Sequence, residues 1–272
     1  MKTMCGMLNV TRSGYYAWRD RSRSRRQERR AELVKQIRQV HRDSRRTYGS
    51  PRITMELKEQ GIDVCENTVA KYMREDDVFV KPQRRFVPRT TDSDHPHPIA
   101  PNRLDRDFAA AAPNRKWACD LTYVFTEGGW LYLSVVIDLF SRRVVGWSMS
   151  DDLKALGVAE ALSMALTRRR PGKDLLHHSD RGVQYACELY RATLRRHGIA
   201  ASMSRPGNCY DNAVVESFFG TIKTELVHRE RYRTREEARS SIFEWIECWY
   251  NRRRRHSSLG YLSPEAFEAQ LN

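Results

Sequence analysis

The feature that most constrains the fold of this 272-residue chain is a proline-rich segment between two regions of different pattern. Residues 81–114 hold few large apolar side chains and six prolines: Pro82, Pro88, Pro96, Pro98, Pro101 and Pro113. This composition is typical of an extended linker. The length also favours more than one unit, because a domain usually spans about 100–200 residues. We therefore predict a helical region at 1–80, a linker at 81–114 and a larger domain at 115–272.

The net charge indicates what kind of partner the protein binds. The chain carries 48 Lys and Arg against 34 Asp and Glu, which is a formal charge of +14. So large an excess predicts a polyanionic partner, and nucleic acid is the first candidate. Lys and Arg exceed Asp and Glu by ten in residues 1–115 and by four in residues 116–272. The front of the chain is therefore the expected electrostatic anchor.

Hydropathy and cysteine spacing indicate the compartment. A membrane surface would also attract positive charge, but no apolar run approaches the roughly 18 residues of a spanning helix, and no signal-peptide pattern opens the chain. We therefore expect a cytoplasmic protein with no membrane partner. The six cysteines are scattered, without a CxxC pair or a short Cys/His cluster. This spacing disfavours structural zinc and a secreted disulfide framework, so we expect reduced thiols.

The first 80 residues are predicted to be helical. Leu33, Ile37 and Val40 recur at helical spacing among arginines, which predicts a basic helix. Two shorter helices are predicted at about 51–60 and 67–74, joined by a turn that contains a glycine. This is the layout of a DNA-reading helix-turn-helix, although two short helices alone are a weak signal and a plain helical hairpin is the alternative.

Within this pair, the second helix is the expected recognition helix. Its polar residues Asn67, Thr68 and Lys71 are candidates for contacting base edges or phosphates. Arg52, at the start of the first helix, is a further candidate DNA contact.

Residues 115–272 are predicted to form an α/β sandwich. Apolar stretches predict five strands, at 117–125, 130–139, 143–149, 175–178 and 199–203. Helical periodicity predicts four helices, at 154–168, 184–197, 212–227 and 234–250. Short turns at Gly128-Gly129 and Ser141-Arg142 make the first three strands antiparallel neighbours.

Three acidic residues of this domain are candidate metal ligands. Asp120 falls inside the first predicted strand, Asp180 follows the fourth, and Glu216 lies early in the helix after the last strand. If the first and fourth strands are neighbours, the two aspartates meet on the rim of the sheet and the helix brings Glu216 beside them. Metal-dependent phosphoryl transfer needs hard oxygen ligands at one point, because two ions about 3.5–4 Å apart activate the nucleophile and stabilise the leaving oxygen.

Composition alone does not single out these three residues, because 34 acidic residues give many possible groups of three and most acidic side chains are solvated on the surface. Asp120 is the strongest member, since its strand neighbours include Trp117, Cys119, Leu121 and Tyr123. A buried carboxylate is costly unless it is paired or bound to metal. A structural Asp120 with satisfied hydrogen bonds is the alternative.

Several residues near Glu216 are candidate DNA contacts. Lys223 lies two turns further along the same side of the helix and is suited to a phosphate, although a lone lysine is more often solvated. Asn208 and Tyr210 lie in the glycine-containing loop before Glu216 and are suited to DNA at the cut site, with a structural turn as the alternative.

Three other residues near the site have structural alternatives. We expect His177 to pack at the end of its strand, and His178 either to support the metal ligands or to contact DNA. Asp138, at the end of the second strand, is a further candidate acid but is more often a turn cap.

Three sequence blocks resemble the catalytic blocks of bacterial insertion-sequence transposases. They are WACDLTY at 117–123, HSDRGVQY at 178–185 and SRPGNCYDNAVVESFF at 204–219. The resemblance is to the second-reading-frame protein of the "insertion sequence three" family, which is related to retroviral integrases. Segments 250–261 and 263–267 are similar to the C-terminal signature of that family.

The spacing of the acids agrees with this resemblance. Asp180 and Glu216 are separated by 35 residues, as in the family's D-D-35-E pattern, and Lys223 matches the basic residue seven positions beyond its glutamate. The resemblance extends from about residue 4 to residue 269, and its blocks agree in order and spacing.

The resemblance implies an RNase H-like, retroviral-integrase-type core behind an all-helical helix-turn-helix domain. It implies that Asp120, Asp180 and Glu216 are catalytic and hold two Mg²⁺ ions, for which Mn²⁺ can substitute. The implied partners are double-stranded DNA, as the terminal repeats of the element and as target, and a companion first-frame protein or a fusion with it. It further implies a homo-oligomer on DNA, associated with the bacterial nucleoid.

The reaction implied by the resemblance has two steps. Water attacks a phosphodiester at the end of the element, and the freed 3′ hydroxyl then attacks a second strand, with no covalent protein intermediate. One alternative is a DNA-binding regulator with an inactive nuclease fold, which has no reason to retain all three acids at these spacings. Another is a nuclease that hydrolyses without joining, which the sequence separates poorly from a transposase.

Overall fold

The computed structural model describes residues 1–80, 96–206 and 209–271. The chain divides into two compact units, Met1–Lys81 and Pro82–Asn272. Asn208 and the first part of the predicted linker, 81–95, lie outside the described residues, as does the side chain of Cys209. None of the described helices is long and apolar enough to cross a membrane.

Residues 1–80 form an all-helical unit. Its helices are α1 (Lys2–Met7), α2 (Arg12–Arg19), α3 (Arg25–Asp43), α4 (Ser50–Glu59) and α5 (Glu66–Glu75). A capping box begins α3: the Ser24 hydroxyl accepts the Gln27 N–H, and the Gln27 side chain accepts the Ser24 N–H. Helices α3, α4 and α5 pack around a small core of Ile37, Val40, Ile53, Leu57, Val69 and Met73. The predicted basic helix and helix pair are confirmed.

The turn between α4 and α5 requires a glycine. Gly61 has φ +78°, in the left-handed region that is strained for residues with a Cβ. The N–H of Ile62 donates to the Leu57 carbonyl at 2.9 Å, which closes the end of α4. Gly61 therefore ends the first helix of the pair, as the sequence predicts.

The second unit is built on a five-stranded mixed sheet. Its strands are β1 (Lys116–Thr126), β2 (Gly129–Asp138), β3 (Val144–Ser150), β4 (Leu176–Ser179) and β5 (Ala200–Met203). They lie in the order β3-β2-β1-β4-β5. The first three strands are antiparallel, while β4 runs parallel to β1 and β5 parallel to β4. All five predicted strands are confirmed, and so is the pairing of the first strand with the fourth.

Helices complete this unit. They are α6 (Ala155–Arg169), α7 (Val183–Ala186), α8 (Glu188–Arg196), α9 (Ala213–Ile222), α10 (Arg235–Glu244) and α11 (Pro264–Ala269). A 3₁₀ turn at Cys209–Asn212 precedes α9, and another lies at Ser257–Leu259. Helix α9 continues into a π-helical turn at Lys223–Val227, and α10 continues into one at Trp245–Tyr250. The two long helices predicted after β5 are therefore confirmed, each with a π-helical end.

The single helix predicted at 184–197 is wrong, because the chain forms two helices there. Cys187 has an extended backbone, φ −65° and ψ 154°, and separates α7 from α8. Tyr185 and Tyr190 are both buried, with ring centroids 5.3 Å apart. Residues five apart on a continuous helix point in different directions, because each residue turns the helix by about 100°. The break allows both tyrosines to enter the core.

The main core lies between the sheet and helices α6 to α8. Trp117, Val136 and Leu162 are at its centre, and none of them is more than 1% exposed. Strand β3 approaches α6 closely at Gly146: a Cβ there would lie 2.2 Å from the Ala161 carbonyl oxygen. The absence of a side chain at Gly146 therefore sets the distance between helix and sheet.

The C-terminal segment covers the edge strand β3. The Asn251 side chain accepts the Val144 N–H at 2.9 Å and donates to the Val144 carbonyl at 3.0 Å. Beside it, the Tyr250 hydroxyl donates to the Arg142 carbonyl at 3.0 Å. An edge strand otherwise leaves its backbone groups unpaired. The residues that resemble the family's C-terminal signature thus form hydrogen bonds with backbone groups along part of this edge.

The described part of the predicted linker, 96–114, packs against the second unit. The N–H groups of Arg103 and Leu104 both donate to the Ser202 hydroxyl on β5, at 2.9 and 3.1 Å. Leu104 is only 2% exposed. This part of the chain is therefore held against the sheet.

We expect Gly146→Ala to destabilise the second unit by about 1–3 kcal/mol, because the added methyl would overlap backbone atoms of α6 that cannot move independently. Urea unfolding of the full chain, followed by circular dichroism, measures the change. Gly172→Ala is the control, since nothing lies within 4 Å of a Cβ at that position. Equal unfolding midpoints for the two variants would contradict the role given to Gly146.

Candidate active site

The parallel pairing of β1 with β4 aligns two acidic residues. The paired positions run from Lys116 with Leu176 to Ala118 with His178. Two residues further in the same register, Asp120 on β1 corresponds to Asp180 directly after β4. Side chains at corresponding positions of parallel strands lie side by side. The strand pairing therefore brings together two acids that are 60 positions apart in the chain.

The electrostatic surroundings of Asp120 show which groups converge on it. Burial and then the nearby Asp180 carboxylate raise the pKa of Asp120 well above its usual range. Glu216 raises the pKa further, while the Lys223 ammonium lowers it. Asp120 Oδ1 accepts its neighbour Leu121's N–H at 2.8 Å. The structure thus brings all three predicted acids and the predicted lysine into one electrostatic group.

Asp180 is oriented by the loop that follows β4. Its Oδ1 accepts the N–H of Gly182 at 2.9 Å. A Cβ at Gly182 would lie 3.1 Å from that same oxygen and 2.9 Å from the Gln184 side chain. Glycine at this position leaves room for the carboxylate to turn back on its own loop.

Glu216 is positioned by the start of α9. The side chain of Asn212, the residue before this helix, donates to the Cys119 carbonyl at 3.2 Å. Cys119 directly precedes Asp120, so the start of the helix is tied to the strand beside the first acid. Val215 and Phe218 are buried on either side of Glu216, whose own side chain is exposed. The apolar face of α9 therefore packs into the unit and leaves Glu216 at its edge.

Asp211 anchors the same turn, and the sequence reasoning did not identify it. Its carboxylate is fully buried and accepts three hydrogen bonds from Arg205, one of them from the backbone, at 2.8 to 3.0 Å. Arg106 donates to it at 3.1 Å and Asn102 at 3.0 Å. The Arg205 guanidinium is the main reason that the pKa of Asp211 lies far below its usual range. The signal available in the sequence was an acid directly before the first turn of the Glu216 helix.

His178 lies beneath the site in a closed hydrogen-bond network. Its Nδ1 is 2.8 Å from the Ser202 hydroxyl and its Nε2 is 3.1 Å from the Ser204 hydroxyl. Ser202 already accepts two backbone N–H groups, so its own proton goes to Nδ1 and the imidazole proton is on Nε2. Burial lowers the pKa of His178 to about 4, so the ring is neutral at pH 7. Full burial favours the supporting role over the DNA contact.

The structure also decides between the alternatives for His177 and Asp138. His177 is buried against Tyr190, whose hydroxyl lies 3.1 Å from its Nε2, which confirms the predicted packing. Asp138 accepts the N–H groups of Asn114 and Phe140 at 2.7 and 3.0 Å. Asp138 is therefore a cap at the end of β2.

Lys223 and Tyr210, two predicted DNA contacts, have different surroundings. The Lys223 ammonium is 5.4 Å from the centre of the Tyr123 ring, and its charge acts on Asp120. Tyr210 is 68% exposed, and the Arg106 guanidinium is 5.7 Å from the centre of its ring. The structure thus brings Lys223 into the electrostatic surroundings of Asp120, and it leaves Tyr210 exposed beside Arg106.

The candidate DNA contacts of the first unit are on its helix pair. Asn67 and Lys71 are exposed one turn apart on α5, and Lys71 pairs loosely with Glu75 at 3.8 Å. Thr68 is half-buried, with its hydroxyl 3.1 Å from the Cys65 sulfur. Arg52 lies on α4, beside the Tyr48 ring. Asn67 and Lys71 share one face of the predicted recognition helix.

The carboxylates suit a hard cation by their chemistry. Among the described residues, no group of three or more His, Cys, Asp and Glu side chains is arranged closely enough to hold a metal ion. Burial and the Asp180 carboxylate raise the pKa of Asp120, so a bound cation would stabilise its charged form. Magnesium and manganese prefer such oxygen ligands. The donor set at this rim therefore fits divalent metal ions.

Comparison with protein-family models identifies both units. Two models described as integrase core domain match residues 110–209 and 197–264. A model described as HTH-like domain matches residues 28–86. The integrase core models together span the strands and the helix that carry the three acids.

Comparison with solved structures finds viral chains at lower similarity. A chain of the simian T-cell lymphotropic virus intasome, in complex with a PP2A regulatory subunit, aligns with a TM-score of 0.49 at 15% identity. That alignment covers 85% of this chain and 74% of the other. The catalytic core domain of BIV integrase aligns with a TM-score of 0.43 at 19% identity, over 58% of this chain and 95% of that domain.

Curated relatives match almost the whole chain. The transposase InsF for insertion sequence IS3A of Escherichia coli (strain K12) is 46% identical over 270 residues, which cover 98% of this chain and 93% of the relative. An uncharacterized 31 kDa protein of insertion element IS600 from Shigella sonnei is 45% identical over 269 residues, covering 99% and 98%. The chain therefore belongs to the IS3-family transposases, and its HTH-like domain precedes its integrase core domain.

Proposed function

We propose that Asp120, Asp180 and Glu216 are the catalytic carboxylates with which this transposase cuts and joins DNA ends. One observation carries the proposal: Asp120 and Asp180 hold corresponding positions on neighbouring parallel strands, and Asn212 ties the Glu216 helix to the strand beside Asp120. A DNA-binding regulator with an inactive core would not require three mutually repelling acids at this point. The electrostatic cost of their convergence is explained by catalysis.

The same three residues are the proposed ligands of two Mg²⁺ ions, with Mn²⁺ as a substitute. When bound, divalent ions activate the attacking oxygen and stabilise the leaving oxygen of an in-line phosphoryl transfer. The protein supplies the rest: β1 and β4 hold the aspartates side by side, and the Asp211 anchor fixes the start of the Glu216 helix. Lys223 supplies a positive charge for a DNA phosphate next to the carboxylates.

Further DNA contacts are proposed for both units. Asn208 and Tyr210 precede Glu216 in the sequence and are proposed to contact DNA at the cut site. In the HTH-like unit, Asn67, Thr68 and Lys71 of α5 and Arg52 of α4 are proposed to bind the terminal repeat. Arginine, lysine and asparagine side chains supply the phosphate and base-edge hydrogen bonds that DNA recognition uses.

The partners follow from this function. We propose that the protein acts on double-stranded DNA, both the ends of its element and a target, as a homo-oligomer associated with the nucleoid. Joining two ends to one target requires two active sites on one DNA assembly, which supports an oligomer. A companion first-frame protein, separate or fused, is proposed as a further partner from the resemblance to the family.

We expect each of three substitutions to lower cleavage of the element's DNA ends by at least about a thousandfold: Asp120→Asn, Asp180→Asn and Glu216→Gln. The reason is that removing one member of a catalytic unit costs nearly as much activity as removing the whole unit. DNA affinity should stay equal or rise slightly, since each change removes a negative charge that repels phosphate. A Mg²⁺-dependent cleavage and joining assay measures the first effect, and a gel-shift titration measures the second.

Asp174→Asn is the matched control for these acids, because Asp174 is 80% exposed and pairs with the surface residue Arg115. It should cleave and join like the wild type. Normal cleavage by any one of the three active-site variants would refute its assignment. Cleavage without joined product in the wild type would favour a hydrolytic nuclease over a transposase.

We expect Asp211→Asn to lower cleavage about ten- to a hundredfold with little change in DNA affinity, because the start of the Glu216 helix loses its anchoring ion pairs. Asp211 does not contact the reacting atoms, so higher Mg²⁺ concentration should restore part of the activity. The half-saturating Mg²⁺ concentration for cleavage, compared with Asp174→Asn, measures the effect. An unchanged Mg²⁺ dependence together with normal cleavage would remove Asp211 from the positioning role.

Substitution of Lys71 tests the HTH-like unit. We expect Lys71→Gln to weaken binding to the element's ends and to reduce the slope of log affinity against log salt by about one, because one phosphate contact is lost. Lys173→Gln, an exposed lysine in the other unit, is the control for the loss of one charge. Equal slopes for wild type and both variants would show that Lys71 does not contact a phosphate.

A further inference from the structure

An exposed group of aromatic rings lies on the β1–β2 hairpin, beyond the active site. We name Tyr123, Phe125 and Trp130 the aromatic patch. Phe125 is 64% exposed and Trp130 is 44% exposed. The Trp130 ring makes edge contacts with Tyr123 at 5.0 Å and with Phe125 at 5.3 Å. These contacts hold the rings together while much of their surface stays in solvent, where apolar area is unfavourable.

The aromatic patch forms one wall of a cavity of about 350 Å³. Lys223, Val227 and Tyr232 line the cavity from the helix that carries Glu216 and from the segment that follows it. Binding sites for small organic groups have volumes of about 300–1,000 Å³ and combine apolar walls with a few polar groups. The cavity is therefore large enough for one flat heterocycle, with aromatic rings on one side and a cation on another.

Lys223 connects this cavity to the catalytic carboxylates. Its ammonium lies 5.4 Å from the centre of the Tyr123 ring, and its charge also acts on Asp120. Tyr123 is three residues beyond Asp120 on β1, which is about 10 Å along a strand. That distance exceeds one nucleotide step along a strand, but a base projects outward from its own phosphate and so extends the reach of the neighbouring nucleotide. A nucleotide neighbouring a phosphate at Asp120 would reach the aromatic patch.

The charges around the cavity determine how a bound nucleic-acid strand would be oriented in it. Glu127, Glu230 and Arg231 also line the cavity, and Glu127 is paired with Arg231 at 2.7 Å. A phosphate would be repelled from the Glu230 side and attracted from the Lys223 side. The backbone of a bound strand would thus pass Lys223, and a base would project toward the rings.

We propose that the aromatic patch stacks with an unpaired nucleobase next to the phosphate bound at the active site. This inference rests on the proposed function, since it places the scissile phosphate at Asp120. A base within a duplex is covered by its neighbours and cannot meet a protein ring, so the ligand is a base displaced from the helix near the element's end. Stacking on an aromatic side chain contributes about 1–3 kcal/mol per base and tolerates any sequence.

The test uses the full-length protein in EDTA, where no cleavage occurs. The probe is a duplex of the element's end with a three-nucleotide unpaired overhang containing 2-aminopurine, and a blunt duplex of equal length is the comparison. We expect the overhang duplex to bind about tenfold more tightly, and the 2-aminopurine fluorescence to be quenched on binding. Equal affinity for both duplexes, without quenching, would overturn the proposal.

Substitutions in the aromatic patch test whether its rings cause the quenching and the tighter binding. Trp130→Leu and Phe125→Leu should each remove most of the quenching and most of the tenfold preference, while Trp130→Tyr should retain both. Phe243→Leu is the matched control, because Phe243 is 47% exposed on α10, away from the cavity. Quenching that persists in both leucine variants would place the base elsewhere and refute the assignment, and circular dichroism confirms that each variant is folded.

Two further measurements distinguish base stacking from the proposed catalytic function and from a contact between copies of this chain. Asp120→Asn should quench 2-aminopurine like the wild type, because stacking does not require catalysis. Normal Mg²⁺-dependent cleavage without any base stacking would overturn the inference and leave the proposed function intact. If Trp130→Leu instead dissociated an oligomer in analytical ultracentrifugation and left overhang binding unchanged, the patch would be a contact between copies of this chain and the proposal would be wrong.

Discussion

The convergence of like charges at one point of the sheet is the constraint on which the rest of the catalytic unit depends. Asp120 and Asp180 hold corresponding positions on parallel strands, and Asp180 raises the pKa of Asp120 well above its usual range. Left to themselves, these acids would separate or take up protons. The fold limits their separation, because Asp120 lies within β1 and Asp180 directly follows β4, the strand paired with β1. The Leu121 N–H and the Lys223 ammonium oppose this repulsion by lowering the pKa of Asp120, and the proposed cations would oppose it further.

Holding Glu216 in this unfavourable position requires support from the chain on both sides of its helix. Before the helix, Asp211 is held by Arg205 and Arg106, and the described part of the predicted linker contributes Arg106 to that anchor. After the helix, Glu225 in the π-helical turn forms a buried two-bond ion pair with Arg254, at 2.7 and 2.9 Å. Truncating either partner would remove the paired opposite charge of the other, and breaking a buried ion pair in this way costs about 3–5 kcal/mol. The C-terminal signature thus acts on the active site through Glu225, although none of its residues is proposed to touch DNA.

The sequence predicts the local and periodic features of this protein, and it misses those that depend on distant contacts. All five strands, the helix pair and the acids on β1 and after β4 follow from alternation, helical spacing and turn residues. The break at Cys187 does not, because it is stabilised by the burial of Tyr185 and Tyr190 in a core that only the folded sheet creates. The Asp211 anchor is hidden for the same reason, since its partners Asn102 and Arg106 are more than a hundred residues away. Long-range hydrogen bonds leave no periodic trace in a sequence.

The distribution of charge explains why a catalytic core of this kind works with a separate DNA-binding unit. Residues 116–272 have an excess of only four positive charges, and their active site concentrates three acids where a phosphate must enter. At physiological salt the Debye length is about 8 Å, so distant lysines of the core cannot offset that local repulsion. Binding energy must come from elsewhere on the DNA, and residues 1–115 carry an excess of ten positive charges. The DNA contacts proposed there would hold the strand near the carboxylates, and Lys223 would then orient a phosphate that is already present.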